Sequence, residues 1–361
     1  MNDQVSGISL EAQEENVRMI RESAGFLRAP DRMAAVRAAR HIMPGITPAD
    51  RDAVVSMGWL GMRLPEERGG VGFGLAEFCA LSEELGRGLL PEFVVQAMAI
   101  APLLPDAVLE QALSGERIVI PAWNEKLGDP DHVEAALTGG AITGTKRFVL
   151  TAAAADSFLV TTAGGAALVD AGASGLSLST LALQDGGHFG ELALENAAAT
   201  PVEGDVARAR EEAMLGMSAY LLGMAERTFE ITKEYLAVRE QFNRPIGSFQ
   251  ALQHRMVDMY LQIELTRAAI GKTARLLDDA EADREECLRA VSRTKARASD
   301  MVLLVTREGV QMHGGMGYTD DCDVGLFLRK AMIVATGHGS AGWHRRRYAR
   351  LADLANNRLA A

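Results

Sequence analysis

The feature that most constrains this chain is its second half. From Val206 onward three long apolar-periodic runs follow one another: AREEAMLGMSAYLLGMAERTFEITKEYLAVREQF, SFQALQHRMVDMYLQIELTRAAIGKTARLLDD and REECLRAVSRTKARASDMVLLVTREGVQMHGG. The first contains no proline and places Met214, Tyr220, Met224, Phe229 and Leu236 at roughly helical spacing. Such a run is a helix with a buried stripe, and three of them in succession must cover each other's apolar faces, which predicts an antiparallel C-terminal helical bundle. The methionines read as core filling, the usual role of an adaptable thioether.

Between Arg117 and Asp205 the pattern changes. Short runs rich in Gly, Thr, Val and Ala, namely RIVIPAW, AALTGGAITG, KRFVLTA, DSFLVTTA and GELALEN, read as strands separated by glycine turns. They predict a small antiparallel β-barrel or sandwich. The absence of alternating β-α units, and of a GxGxxG following a strand, excludes a doubly wound sheet. Before this segment, from Glu11 to Glu116, the pattern is helical and is punctuated at Pro44-Gly45, Pro65, Gly69-Gly70 and Pro91. The fold class expected is therefore mainly α with a β-domain insert: an N-terminal helical domain over 1–116, a middle β-domain over 117–205 and a helical bundle over 206–361.

Charge and cysteine content remove several functions. With 37 Lys and Arg against 48 Asp and Glu, the net charge of −11 disfavours a nucleic-acid partner. The one basic cluster, Trp343-His344-Arg345-Arg346-Arg347, reads as a solvated last helical turn. Cys79, Cys287 and Cys322 lack both CxxC and metal spacing, so neither a disulfide framework nor a metal site is expected, and a reducing cytoplasm fits. No apolar run reaches the ~18 residues of a membrane span.

Two segments are richer in unusual residues than a bundle requires. REQFNRPIGSFQALQH, Arg239 to His254, ends one helix with an arginine and a phenylalanine and breaks the chain at Asn243-Arg244-Pro245. QMHGGMGY, Gln311 to Tyr318, puts glycines at a helix end, where another backbone or a cofactor can approach closely. In this order they resemble the acyl-CoA dehydrogenase family, whose C-terminal domain carries R-x-x-F-G-x-x-I-x-x-F-Q followed by Q-x-x-G-G-x-G-Y. The resemblance extends over most of the chain: GWLGMRLPEERGGVG and SEELGRGLLPE are similar to the family's N-terminal domain, and GTKRFVLTAAAADSFLV to its β-domain.

The resemblance implies a helical domain, a β-domain and a C-terminal four-helix bundle, with FAD, an acyl-CoA thioester as substrate and an electron-transfer flavoprotein-type acceptor. It assigns Arg239 to the FAD diphosphate, with Gln241 and Phe242 lining the same site, and Gln311 and Gly315 to the adenosine end. These residues serve a neighbour's flavin, which implies at least a dimer. Trp123 either shields the flavin or fills the β-domain core, and Thr151 stands one place after Leu150, where the family has a hydroxyl near flavin N5. Departures accompany the matches. The family's T-E-P-x-x-G-S-D is here Asn124-Glu125-Lys126-Leu127-Gly128-Asp129, and His338 falls where most members have the glutamate of an E-G-T motif.

That glutamate removes the α-proton as hydride leaves the β-carbon, so its loss bears on catalysis. An alternative position for the base aligns with Ala213, beside Glu211 and Glu212, and a slip of one residue would bring in Glu212. His338 as base competes with His338 as a half-exposed loop residue of a subunit without its own base; the second reading explains why motifs for a neighbour's cofactor are kept while those for the chain's own site are altered. The chain is accordingly similar to short members that pair as α2β2 dehydrogenases acting on steroid or bile-acid side-chain thioesters, in lipid or steroid degradation. The alternatives are a self-sufficient dehydrogenase using Glu212 or His338, a flavin monooxygenase or lyase on the same fold, a homo-oligomer, and a non-enzymatic assembly subunit. His313 and His254 read as packing or capping residues, and Asp320-Asp321 as helix-cap partners.

Overall fold

The structure, a computed structural model, describes residues 10–359. It opens with helices α1 (Leu10–Ser23), α2 (Arg32–Ala39), α3 (Pro48–Ser56), α4 (Leu75–Arg87), α5 (Phe93–Ile100) and α6 (Asp106–Leu113). Strands follow: β1 (Val119–Ala122), β2 (Ala136–Thr138), β3 (Ala141–Leu150), β4 (Ser157–Thr162), β5 (Gly165–Asp170), β6 (Leu176–Ala182), β7 (His188–Ala198) and β8 (Thr200–Val202). Helix α7 (Val206–Val238), the hairpin of β9 (Glu240–Gln241) and β10 (Arg244–Pro245), then α8 (Gln250–Asp278), α9 (Arg284–His313), α10 (Val324–Val334) and α11 (Ala341–Leu359) complete the chain. The order helical, β, helical is the one expected. Among the described residues no helix is long and apolar enough to cross a membrane.

By packing, the chain forms two compact units. Of the described residues, one comprises 10–33, Leu75–Leu89 and 215–359; the other comprises Ala34–Gly74 and Leu90–Met214. The second unit holds the strands. Its two four-stranded sheets, ordered β1-β4-β5-β8 and β2-β3-β7-β6, share no ladder, so the β-domain is a sandwich and the closed barrel is excluded. The expectation of antiparallel pairing fails at one place: β1 and β4 pair in parallel. The chain leaves β1, builds the β2-β3 hairpin in the other sheet and returns in the direction in which it left. Register shifts in β3 between Ile142 and Gly144 and between Lys146 and Val149 mark bulges, which re-aim the side chains that follow. An apolar cluster including Leu64, Ile100, Leu109, Val119, Trp123 and Leu159 joins α5 and α6 to β1 and β4.

The first unit is helical. Helices α4 and α7 cross backbone to backbone: a Cβ on Gly86 would lie 2.0 Å from the Tyr220 carbonyl oxygen, and one on Gly223 1.8 Å from that of Glu83. Both glycines are therefore required by the crossing itself. Helix α9 is the central element, packed against α8, α10 and α11. It starts at Asp283, whose side chain accepts the Glu286 N–H at 2.9 Å. Asp320 and Asp321 do not cap α10, whose flanking residue is Asp323; Asp320 instead accepts from Arg329 at 3.4 Å. The basic cluster is also placed differently from expectation. It forms the first turns of α11, not a solvated last turn, and Trp343, His344 and Arg347 are buried.

Candidate functional site

The residues assigned by resemblance fall into three places, each described within its own unit. The first is an exposed face of the helical unit. Arg239 follows the last turn of α7, and Phe242 and Asn243, both with positive φ (55° and 61°), form the two-residue turn between β9 and β10. Left-handed conformation at both central residues is the type I′ geometry whose twist matches a hairpin. This turn carries Phe242 outward, 86% exposed, with the Phe249 ring at 6.0 Å, edge-on, and the Arg244 guanidinium 4.1 Å over the Phe249 ring. Arg239, Gln241 and Gln311 are exposed as well.

Gln311 and the glycines end α9. A Cβ on Gly314 or Gly315 would meet nothing within 4 Å, whereas one on Gly317 would lie 2.6 Å from the Val310 carbonyl oxygen. The chain's own packing thus explains Gly317 but leaves open space above Gly315, where an outside group can reach the backbone. His313 is buried; its Nδ1 lies 2.8 Å from the Gly309 carbonyl and its ring stacks on Tyr235 at 4.3 Å. That stack ties the end of α9 to the last turns of α7, bringing the two motif segments onto one unit. His254 is exposed.

The second place is the loop between α10 and α11. His338 is buried, 5% exposed, which corrects the expectation of a half-exposed residue: the loop folds onto α11 instead of projecting from it. Its backbone is left-handed, φ 57°, between Gly337 and a Gly339 at φ 107°. Two buried side chains missed in the sequence hold this loop. Lys295 on α9 donates to Ser299 Oγ at 2.9 Å and to the Ala335 carbonyl at 3.1 Å, and His344 Nε2 lies 3.0 Å from the His338 carbonyl. Burial pulls Lys295 down to about 7. Burial, reinforced by the charges of Lys295 and Arg347, pushes His344 down to about 2, so its ring is neutral and Nε2 carries the proton. A signal for Lys295 exists in the sequence: it falls on the stripe Val291, Lys295, Ala298, Val302, Val305, all buried, where helical spacing calls for an apolar residue.

The third place lies in the β-containing unit. Trp123 is buried in the apolar cluster, its indole N–H donating to Gln96 Oε1 at 3.1 Å. Glu125 accepts the Ala135 N–H at 3.1 Å and receives Lys146 Nζ at 2.5 Å, while Lys146 also donates to Thr161 at 2.9 Å. Burial raises the Glu125 carboxyl, but Lys146 and two backbone N–H groups outweigh it and hold the group below the usual carboxylate range. The pair pins the segment after β1 to β3 and β4. Next to it, the Asn124 side-chain oxygen is buried without a donor among the described residues. Thr151 is buried and left-handed, φ 56°, and its N–H donates to the His188 carbonyl at 3.2 Å. The His188 ring accepts the Ala153 N–H through Nε2 at 2.9 Å.

Glu212 is buried, and a single carboxylate oxygen takes both Arg63 and Arg208 at 2.8 Å. Two guanidinium groups on one oxygen tie this side chain to its surroundings. Ala213 is fully buried. A cleft of about 870 Å³ beside Ala153 gathers Arg51 and Asp156, yet the Arg51 guanidinium is taken up by the Gly115 carbonyl and Asp156 by the Ile118 N–H.

Residues 13–110 match the acyl-CoA dehydrogenase N-terminal domain family and residues 209–352 the acyl-CoA dehydrogenase C-terminal domain family. Among curated proteins the chain is similar to acyl-CoA dehydrogenase FadE27 of Mycobacterium tuberculosis, at 35% identity over 82% of this chain and 86% of that protein. Among solved structures it is similar to a variant of the Tcur3481-Tcur3483 steroid ACAD, with 27% identity, a TM-score of 0.85 and coverage of 96% and 99% of the two chains. It is also similar to the ChsE4-ChsE5 complex from Mycobacterium tuberculosis, with 28% identity, a TM-score of 0.80 and coverage of 97% and 98%.

Proposed function

We propose, from the premise that this chain belongs to the acyl-CoA dehydrogenase family and is an FAD-dependent oxidoreductase, that it is the base-lacking subunit of a heteromeric dehydrogenase paired with a homologous chain. The observation that carries this reading is a contrast. Arg239, Gln241, Phe242 and Gln311, matched to the cofactor motif, stand exposed and a Cβ on Gly315 would meet open space, whereas the positions that would supply a base hold a buried alanine, a buried histidine and a carboxylate engaged by two arginines.

The exposed face suits FAD held jointly with a second chain. Arg239 would offer its guanidinium fork to the diphosphate, Gln241 and Phe242 would flank it, and Gln311 would meet the adenosine end while Gly315 admits close approach. In the β-containing unit, Asn124, with a buried acceptor that no donor among the described residues meets, would take an N–H of the isoalloxazine of the chain's own flavin, a different FAD from the one at Arg239, and the family resemblance assigns Thr151 to that same ring. FAD, when bound, supplies the acceptor for the hydride that leaves the β-carbon of an acyl-CoA thioester. This chain's part is to bind and orient, and the α-proton goes to a base of the partner. The named steroid ACAD among its structural neighbours supports a steroid or bile-acid side-chain thioester, oxidised in the cytoplasm with an electron-transfer flavoprotein-type acceptor.

Co-expression with a homologous chain that retains the glutamate tests the reading. The expected result is a heteromer with bound FAD that oxidises acyl-CoA, in which Glu212→Gln and His338→Asn each leave turnover within about threefold. A homo-oligomer of this chain alone, with stoichiometric FAD and full dehydrogenase activity, overturns it. Loss of that activity on substituting Glu212 or His338 would assign the base to this chain.

A further inference from the structure

We infer that Lys295 and His344 are positioning residues that hold the loop from Ala335 to Ser340, and with it His338, in a single conformation. A lysine with no exposed surface in the middle of α9 is expensive, because a buried amine must find a partner for its N–H groups. Both partners here lead to the same point. Lys295 donates to the Ala335 carbonyl directly, and Ser299, which it also binds, donates to that same oxygen at 2.8 Å. Ala335 ends α10, where the helix leaves carbonyls without intrahelical partners, so the pair satisfies an otherwise orphaned group at the loop's first residue. A neutral amine retains two N–H groups, enough for both acceptors, and the clamp therefore operates on either side of neutrality.

The other end of the loop is gripped separately. His344 donates from Nε2 to the His338 carbonyl, and Ser340 Oγ accepts the Trp343 N–H at 3.2 Å to start α11. Between them Gly339 lies so close to α11 that a Cβ would fall 2.6 Å from the Trp343 ring and 3.1 Å from His344 Nε2. The start of α11 is itself fastened to α9, since Arg347 donates to Ser292 Oγ at 3.1 Å. A left-handed histidine is strained and persists where its surroundings over-determine it. Carbonyl clamps at Ala335 and at His338 itself, together with the close packing of Gly339, supply that constraint.

The inference bears on the dehydrogenase reading because position 338 is one at which that reading takes a base to be missing, but its test needs no substrate. Amide hydrogen exchange is measured on the whole chain as purified, comparing Lys295→Met, Lys295→Gln and Ser299→Ala. Lys295→Met keeps the volume and removes the donors, and the amides of Gly337, His338 and Gly339 should exchange at least ~10-fold faster while those of α8 stay within about twofold. Lys295→Gln, a shorter donor, should restore part of the protection, an order opposite to that of a space-filling role, in which Met exceeds Gln. Unchanged loop exchange in a folded Lys295→Met variant, or better protection with Met than with Gln, overturns the inference. If Lys295→Met does not fold, Ser299→Ala decides: a rise in loop exchange of several-fold supports the clamp and wild-type exchange rejects it. Loop loosening in a chain without dehydrogenase activity in any complex would sink the functional reading and leave the clamp standing.

Discussion

Within the helical unit, the motif face at Arg239–Gln250 and Gln311–Tyr318 and the loop at Ala335–Ser340 are built in opposite ways. On the face, Arg239, Gln241, Phe242 and Gln311 are exposed, and Gly315 is not needed by any neighbour inside the chain. In the loop nearly everything is spoken for internally: Lys295, Ser299 and His344 hold its carbonyls and Gly339 is packed against Trp343. Residues retained without an internal job point to something outside the chain, while residues with a full internal job account for themselves by packing. The contrast separates function that requires a second molecule from structure that does not.

The contrast breaks or sharpens with substitutions on either side. The largest stability effect belongs to the loop: Gly339→Ala forces a methyl against the Trp343 ring from a positive φ, and chemical denaturation should register a loss of about 2–4 kcal/mol. On the face the effect moves to binding. Arg239→Glu should reduce flavin retention in the heteromer by about tenfold or more, roughly 1.4 kcal/mol, with the thermal midpoint of the chain unchanged; a stable, fully flavinated variant would remove the face from the cofactor site.

A smaller effect concerns pH. Lys295 releases its proton near 7 in the folded chain but near 10.5 when exposed. Between those values the unfolded chain binds the extra proton, so this group makes stability rise with pH from about 7 towards 10.5 and gives no slope below 7. Subtracting the Lys295→Met profile from that of the parent isolates this contribution from that of Glu226, which burial and the neighbouring Glu83 push up to about 8 and which acts in the opposite sense. A difference profile that is flat over the window would show that the lysine is not buried as described. The smallest effect is expected for Gly315→Ala: stability within about 0.5 kcal/mol of the parent, because its Cβ enters open space, with weakened flavin binding as the only consequence.

Much of this architecture was legible in the order of residues. The long helices of the second half and the glycine-punctuated strands between Arg117 and Asp205 follow from local periodicity and turn chemistry, and the two motif segments from their resemblance to the family. Where the reading failed, the cause was tertiary. The parallel pairing of β1 with β4 depends on a hairpin inserted in the other sheet. The Trp343–Arg347 cluster looked solvated because charge alone gives no view of what α9 places beneath it. His338, likewise, sits in a glycine-flanked segment that looks like an open loop until α11 folds beneath it.

By itself, then, the sequence determined the helix and strand content, because that is written in spacing over a few turns, and its two motif segments carried the resemblance to the family. Only the tertiary structure decided which polar residues are occupied. Lys295 betrays itself only by standing on an apolar stripe, with Ser299 one helical turn on, whereas Glu125, the partner of Lys146, and Ala335, the other partner of Lys295, lie at distances along the chain that no periodicity links. A buried charge must be matched by groups that meet it in space, and that matching is settled only when the helices and sheets have packed.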